Sequence, residues 1–274
     1  MNTNKNKRSK LKLAALYTVL ILGVGIMTFF AIALLTDIFT TRKGQSYYST
    51  VAIDYIPRST QVPVQQPSVT YHDTNTADTP NAPNAPDIPF LDFDALREEF
   101  PNIVGWIQSE GTPINYPIVQ GTDNDFYLSH LPNEKRNKLG SIYMDFRNSA
   151  DFTNVITKIY GHNTRAGDMF GTLSQYEHQR FFEQHSSMLI FTPHQNYKLV
   201  LFAGYILDSA FEVPPMNFPN EDDFYKFIAD IKSRSIFTSD IEVNYGDRLI
   251  LLCTCTTLGA SSKRLIIVAK LTNI

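Results

Sequence analysis

The 274-residue sequence predicts a mainly β (α+β) domain, a mainly antiparallel barrel with helices packed outside it, preceded by one transmembrane helix. Three observations carry this expectation. A charge-free apolar run opens the chain, a proline-rich stretch follows, and the remainder alternates short β-branched or aromatic segments with turn formers.

The apolar run, Leu13 to Thr36, holds no charged residue across 24 positions. At the helical rise it reaches about 36 Å, enough to cross a hydrocarbon core of about 30 Å with some tilt. Lys5, Lys7, Arg8, Lys10 and Lys12 stand ahead of it, and this basic excess predicts a single-pass protein with a cytoplasmic N-terminus and everything after the span outside the cell membrane. A cleaved signal peptide fits less well, because the run is long and no A-x-A-like site ends it. Residues 1–12 thus form the cytoplasmic N-terminus, 13–36 the anchor and 37–89 an extracellular linker. Pro63, Pro67, Pro80, Pro83, Pro86 and Pro89 alternate there with Asn, Thr, Gln and Asp. Repeated prolines fix φ and bias their predecessors to extended backbone, which makes a semi-rigid spacer.

Residues 90–274 have globular composition and the size of one domain. Strands are expected at Ile114–Val119, Ser141–Asp145, Val155–Tyr160, Met188–Thr192, Tyr197–Leu207, Arg248–Thr254 and Arg264–Leu271. Helices are expected at Phe93–Phe100, at Gly171–His185 and around Phe224, Phe227, Ile228 and Ile231, whose i, i+3, i+4, i+7 spacing follows a cap at Asn220. Glu221, Asp222 and Asp223 suit the positive end of that helix.

Composition limits the function classes. With 24 Lys+Arg against 27 Asp+Glu the net charge is −3, which argues against a nucleic-acid partner. Cys253 and Cys255 sit two apart on one strand, a poor geometry for a disulfide, and C-x-C with scattered histidines lacks the paired spacing of a zinc module. No metal and no cofactor is expected.

The thiols stand where an apolar strand gives way to small polar residues, so one can meet solvent. His162 follows another strand end, and Arg264 opens the last strand. A thiol beside an imidazole and a guanidinium is an environment that lowers its pKa and supplies a nucleophile. Each also has a structural reading: a free Cys in an apolar strand is commonly a small buried hydrophobe, and Arg264 could serve a surface ion pair.

The order of short motifs resembles the sortases, cysteine transpeptidases of Gram-positive bacterial surfaces, and within them class B. The motifs are Phe93-Asp94-Ala95-Leu96, Asn102 to Ile107, Ile114 to Gln120, Asp123 to Leu128, Gly140 to Asp145, Tyr160-Gly161-His162-Asn163 and Met169-Phe170-Gly171. The family's T-L-x-T-C signature appears as Leu251-Leu252-Cys253-Thr254-Cys255, with Leu251 in place of the first Thr, and the downstream Arg with its apolar strand is matched by Arg264 to Leu271.

The resemblance implies an eight-stranded barrel with N-terminal helices. It implies Cys255 as nucleophile, His162 as acid and base and Arg264 as the oxyanion partner, with Asn124, Leu128, Tyr160 and Thr254 lining the substrate groove. The segment Phe211–Pro219 falls where the family's specificity-determining segment sits. The implied partners are secreted proteins with a C-terminal sorting signal, cleaved after Thr through a thioester, and an amine acceptor from a peptidoglycan precursor or a pilin Lys. Two further readings are a surface cysteine protease using water and a non-catalytic surface or pilus-associated binding module.

Overall fold

The computed structural model describes residues 3–55, 91–164, 166–207, 214–255 and 263–274. The chain divides into two compact units, Met1–Ser46 and Tyr47–Ile274. The first consists of most of helix α1, Thr3–Tyr55, and Leu16, Leu20, Phe30 and Leu35 along it are exposed. From Leu16 onward this helix is long and apolar enough to cross a bilayer. It continues through residues 37–55, the start of the segment expected to be a linker. Proline first occurs at Pro57, so nothing before that point removes a helical N–H. The prolines that mark the expected linker fall in residues 56–90, outside the described residues.

The second unit begins with the last turns of α1. Tyr48 and Val51 are buried; the Tyr48 hydroxyl donates to the Gly140 carbonyl at 2.6 Å, and its ring meets Tyr116 edge-on at 5.2 Å. Helix α2, Phe93–Glu99, starts on an Asp92 cap whose carboxylate accepts from the Asp94 and Ala95 amides. Phe93, Leu96 and Phe100 bury against Trp106.

Eight strands follow: β1 Ile103–Gln108, β2 Asn115–Gln120, β3 Ile142–Met144, β4 Ile156–His162, β5 Ser187–Phe191, β6 Asn196–Leu207, β7 Leu249–Cys255 and β8 Arg264–Asn273. They close into a barrel in the order β1-β2-β3-β4-β7-β8-β6-β5, antiparallel except at β2–β3 and β4–β7. The implied eight-stranded barrel with peripheral helices is therefore the architecture found. The seven strands read from apolar pattern all form; β1 escapes that pattern because Trp106 and Ile107 are both fully buried, leaving no polar alternation to mark a strand. The helix expected over Gly171–His185 breaks in two, a 3-10 turn at Gly171–Glu177 and α3 at Gln179–Gln184, because His178 between them is extended.

Two apolar layers result. Ile118, Ile159, Leu201, Ile250, Leu252 and Ile267 fill the barrel. Alternate residues of the same strands, Ile156, Leu249, Leu251, Cys253, Ile266 and Val268, face outward and are covered by Phe224, Ile228 and Ile231 of α4, Glu221–Ser233. Strand β7 is buried on both sides, which is why its sequence is continuously apolar. Asn220 caps α4, accepting from the Asp223 amide at 2.9 Å.

Gly161 is required by close packing in β4. A Cβ there would lie 2.5 Å from Ile142 Cδ1 and 2.7 Å from Phe170 Cδ2. Gly161→Ala is therefore expected to destabilise the full chain by about 1–3 kcal/mol, through overpacking. Thermal unfolding in detergent checks this, and an unchanged midpoint contradicts it.

Candidate active site

The parallel pairing of β4 with β7 brings distant residues to one level. Tyr160 pairs with Cys253, Gly161 with Thr254 and His162 with Cys255. On the other side of β7 the antiparallel ladder pairs Cys253 with Ile266. Thr254 confirms the register one step further: its Oγ1 accepts from the Leu265 amide at 3.1 Å and donates to the Leu265 carbonyl at 3.2 Å. Carried one more residue, the ladder sets position 255 opposite 264. Positions 162, 255 and 264 thus occupy adjacent strands, at one height and with the alternation that shares a sheet face.

The side chains around these positions differ in their surroundings. His162 is half-buried, and its Nε2 lies 2.6 Å from the Leu128 carbonyl oxygen. A carbonyl only accepts, so Nε2 carries the proton and Nδ1 of the neutral ring holds the free lone pair. Nδ1 is buried and finds no hydrogen-bond partner among the described residues. Arg264 is exposed at the start of β8. The side chain of Cys255 lies outside the described residues. Cys253 is buried, with Sγ 3.6 Å from the Leu251 carbonyl, and sits in the layer beneath α4. The described thiol is thus buried, with the Tyr160 phenol and the Lys158 ammonium close enough to feel its charge.

The residues expected along the groove divide into two groups. Leu128 and Tyr160 lie near His162. Leu128 does so through its carbonyl and Tyr160 from two positions earlier on β4, while Asn124 Oδ1 accepts from the Phe146 amide at 3.1 Å. Thr254 is fully buried, and its hydroxyl links β7 to β8. It faces away from the side shared by 162, 255 and 264. Of the segment Phe211–Pro219, residues 211–213 lie outside the described residues.

Sequence reasoning missed the polar group behind Tyr160. The Tyr160 hydroxyl donates to Asp145 Oδ2 at 3.0 Å, and Arg147 grips the same carboxylate with Nε at 2.8 Å and Nη2 at 2.7 Å. Tyr143 stacks on the Tyr160 ring at 5.2 Å. Burial opposes ionisation of Asp145, but the Arg147 and Tyr160 hydrogen bonds outweigh it and hold the carboxyl down at about 2. Burial, with Cys253 and Asp145 nearby, pushes the Tyr160 phenol far up, so it remains a donor. The available signal was a carboxylate closing an apolar strand, Ile142-Tyr143-Met144-Asp145, with an arginine two residues on. Among the described residues no group of three or more His, Cys, Asp and Glu could hold a metal ion.

No protein-family model matches the chain. Individual proteins do. Sortase B of Staphylococcus aureus is 34% identical over 180 residues, covering 65% of this chain and 74% of the relative. Sortase B of Listeria monocytogenes is 36% identical over 171 residues, covering 62% and 70%. Among solved structures, S. aureus sortase B complexed with MTSET aligns with a TM-score of 0.64 at 33% identity over 66% of this chain and 78% of that one. An S. aureus sortase B-substrate complex gives 0.63 at 33%, over 66% and 85%. A Bacillus anthracis protein similar to sortase B gives 0.62 at 35%, over 66% and 83%.

Barrel, strand register and sequence thus converge on an enzyme of the cysteine transpeptidase class. Within that class, the chain belongs to the sortase B family.

The Asp145 network gives a pH signature. The carboxyl's folded value of about 2 lies below its ordinary value of about 3.9. Ionised Asp145 therefore adds stability above about pH 4 that is lost as pH falls toward 2. Asp145→Asn should flatten the fall of the urea midpoint between pH 5 and about pH 3, and a slope equal to that of the parent chain counts against the network.

Proposed function

We propose that the chain is a membrane-anchored sortase whose nucleophile is Cys255, with His162 as proton carrier and Arg264 as oxyanion partner. The observation that carries this reading is the register that pairs His162 with Cys255; the β7–β8 ladder, paired as far as Cys253 and Ile266, supports Arg264 as the third member when it is extended by two residues. The sulfur of Cys255, as thiolate, attacks the carbonyl carbon of the Thr in a C-terminal sorting motif. Arg264, a planar and permanently charged fork, holds the developing oxyanion. Collapse expels the amine of the following residue, which takes its proton from Nδ1 of the His162 imidazolium, and leaves a thioester on Cys255. An incoming amine returns a proton to Nδ1 and attacks the thioester, releasing the thiolate and the transferred protein.

The hydrogen bond from Nε2 to the Leu128 carbonyl supports this assignment, because it leaves Nδ1 as the atom that exchanges the proton. Asn124, Leu128 and Tyr160 border the acyl side of the groove, while Thr254 keeps β7 and β8 in register beneath it. The acceptor amine belongs to a cell-wall precursor or a pilin lysine. The substrate complex of the S. aureus relative lends support to a sorting-signal substrate.

The apolar length of α1 supports a membrane anchor, and the basic residues before it a cytoplasmic N-terminus. Tethering confines enzyme and membrane-held substrate to one thin layer and raises their effective concentration. In this arrangement the full chain stays in the membrane fraction after alkaline carbonate, and protease added to intact cells removes the barrel; release by carbonate contradicts the anchor.

Cys255→Ala should abolish cleavage of peptides drawn from a sorting-motif library, whereas Cys253→Ala retains it. An added amine should appear in a ligated product. Turnover surviving in Cys255→Ala and lost in Cys253→Ala reverses the choice of nucleophile. Hydrolysis without ligation at saturating amine replaces transfer by proteolysis.

A further inference from the structure

Lys158 is the one charged side chain on β4 that the reaction above does not use, and it is 1% exposed. Burial pulls its ammonium below the usual value, against the opposing influence of Cys253 and Asp145. An ammonium in such a place is costly unless it is hydrogen-bonded, and an apolar side chain of similar volume would cost less. Its Nζ donates to the main-chain oxygen of Pro214, 56 residues further along the chain.

Pro214 begins the described segment 214–220, which runs from the outer face of the sheet to the cap of α4. The segment is held at its other end by Phe218, whose ring meets Phe224 at 5.2 Å and Phe227 at 5.3 Å. Between these two points Pro215 and Met216 are half-buried. Lys158, Tyr160 and His162 alternate along one face of β4, and Tyr160 packs against the same cluster that includes Phe218 and Cys253. The ammonium therefore joins the row bearing Tyr160 and His162 to a segment that has no ladder partner of its own.

We propose that Lys158 is a positioning residue that fastens residues 214–220 over strand β4, so that this segment forms the wall of the groove beside Tyr160. Lys158 touches no reacting atom. It acts on substrate binding through the segment it holds, and this part rests on the transpeptidase reading. A hydrogen bond from a charged donor is stronger than one between neutral groups. Losing it releases the Pro214 end while Phe218 keeps the other end seated.

The test compares the full chain with Lys158→Met in detergent, by amide hydrogen exchange and by steady-state cleavage of a fluorogenic peptide that the parent chain selects from a sorting-motif library. In Lys158→Met, exchange at Met216, Asn217 and Phe218 should quicken about tenfold or more, with the β4 and β7 amides unchanged. KM should rise about fivefold, with kcat within about twofold. Unchanged exchange overturns the fastening. Faster exchange with unchanged KM overturns its link to the groove, as does a fall in kcat at constant KM. If Lys158→Met does not fold, Lys158→Leu, which likewise removes the donor, is read by the same criteria. If the parent chain cleaves no peptide, the transpeptidase reading has failed, and exchange alone decides whether Lys158 holds the segment.

Discussion

The parallel ladder between β4 and β7 is the constraint on which the candidate site depends. These strands are separated by nearly ninety residues of chain containing β5, β6 and α4, yet they run side by side for seven paired positions. A slip by one residue would turn every outward side chain of β7 into the barrel. Leu251 and Cys253 belong under α4 and Ile250 and Leu252 belong in the core, so the two apolar layers together fix the register. Thr254 reinforces it from within by bonding both backbone groups of Leu265. The alignment of His162 with Cys255 is thus a by-product of core packing, held by many contacts that do no chemistry.

Around this frame the polar groups are arranged in sequence along one strand. Lys158 ties down the 214–220 segment, Tyr160 is tied to Asp145 and Arg147, and His162 is tied to the Leu128 carbonyl. All three use alternate residues of β4, and each reaches a different neighbouring segment. The strand therefore serves as a ruler, converting a spacing of two residues into three separately anchored side chains. Gly161 and Ile159, on the opposite alternation, pack inward and leave no room for the strand to shift.

Much of the fold was legible because short apolar runs bounded by turn formers report strands directly, and the Asn220 cap with its acidic first turn reported α4. Strand β1 was not, since burial on both faces erases alternation. Where residues 37–55 were expected to be linker the chain is helical, because low apolar density does not itself break a helix; the prolines that do come later. Three of the candidate positions were legible as motif members, but the placement of 162 beside 255 depends on a long-range parallel pairing that local pattern does not encode. The Leu128 carbonyl leaves no trace in side-chain identity. Asp145 and Lys158 did leave one, as ionisable residues in apolar strands, and what they contact is set by the closure of the barrel.

The register itself can be measured by disulfide trapping. In full-length chain carrying Cys253→Ala, His162→Cys and Arg264→Cys are introduced one at a time and oxidised, and the products are mapped by peptide mass spectrometry. Neighbouring strands hold paired Cα atoms within about the 4.4–6.8 Å that a disulfide spans. A 162–255 crosslink is expected in the first variant and a 255–264 crosslink in the second, each within one chain. Failure of both to form, while a cysteine placed two residues away on β4 couples to 255 instead, would contradict it.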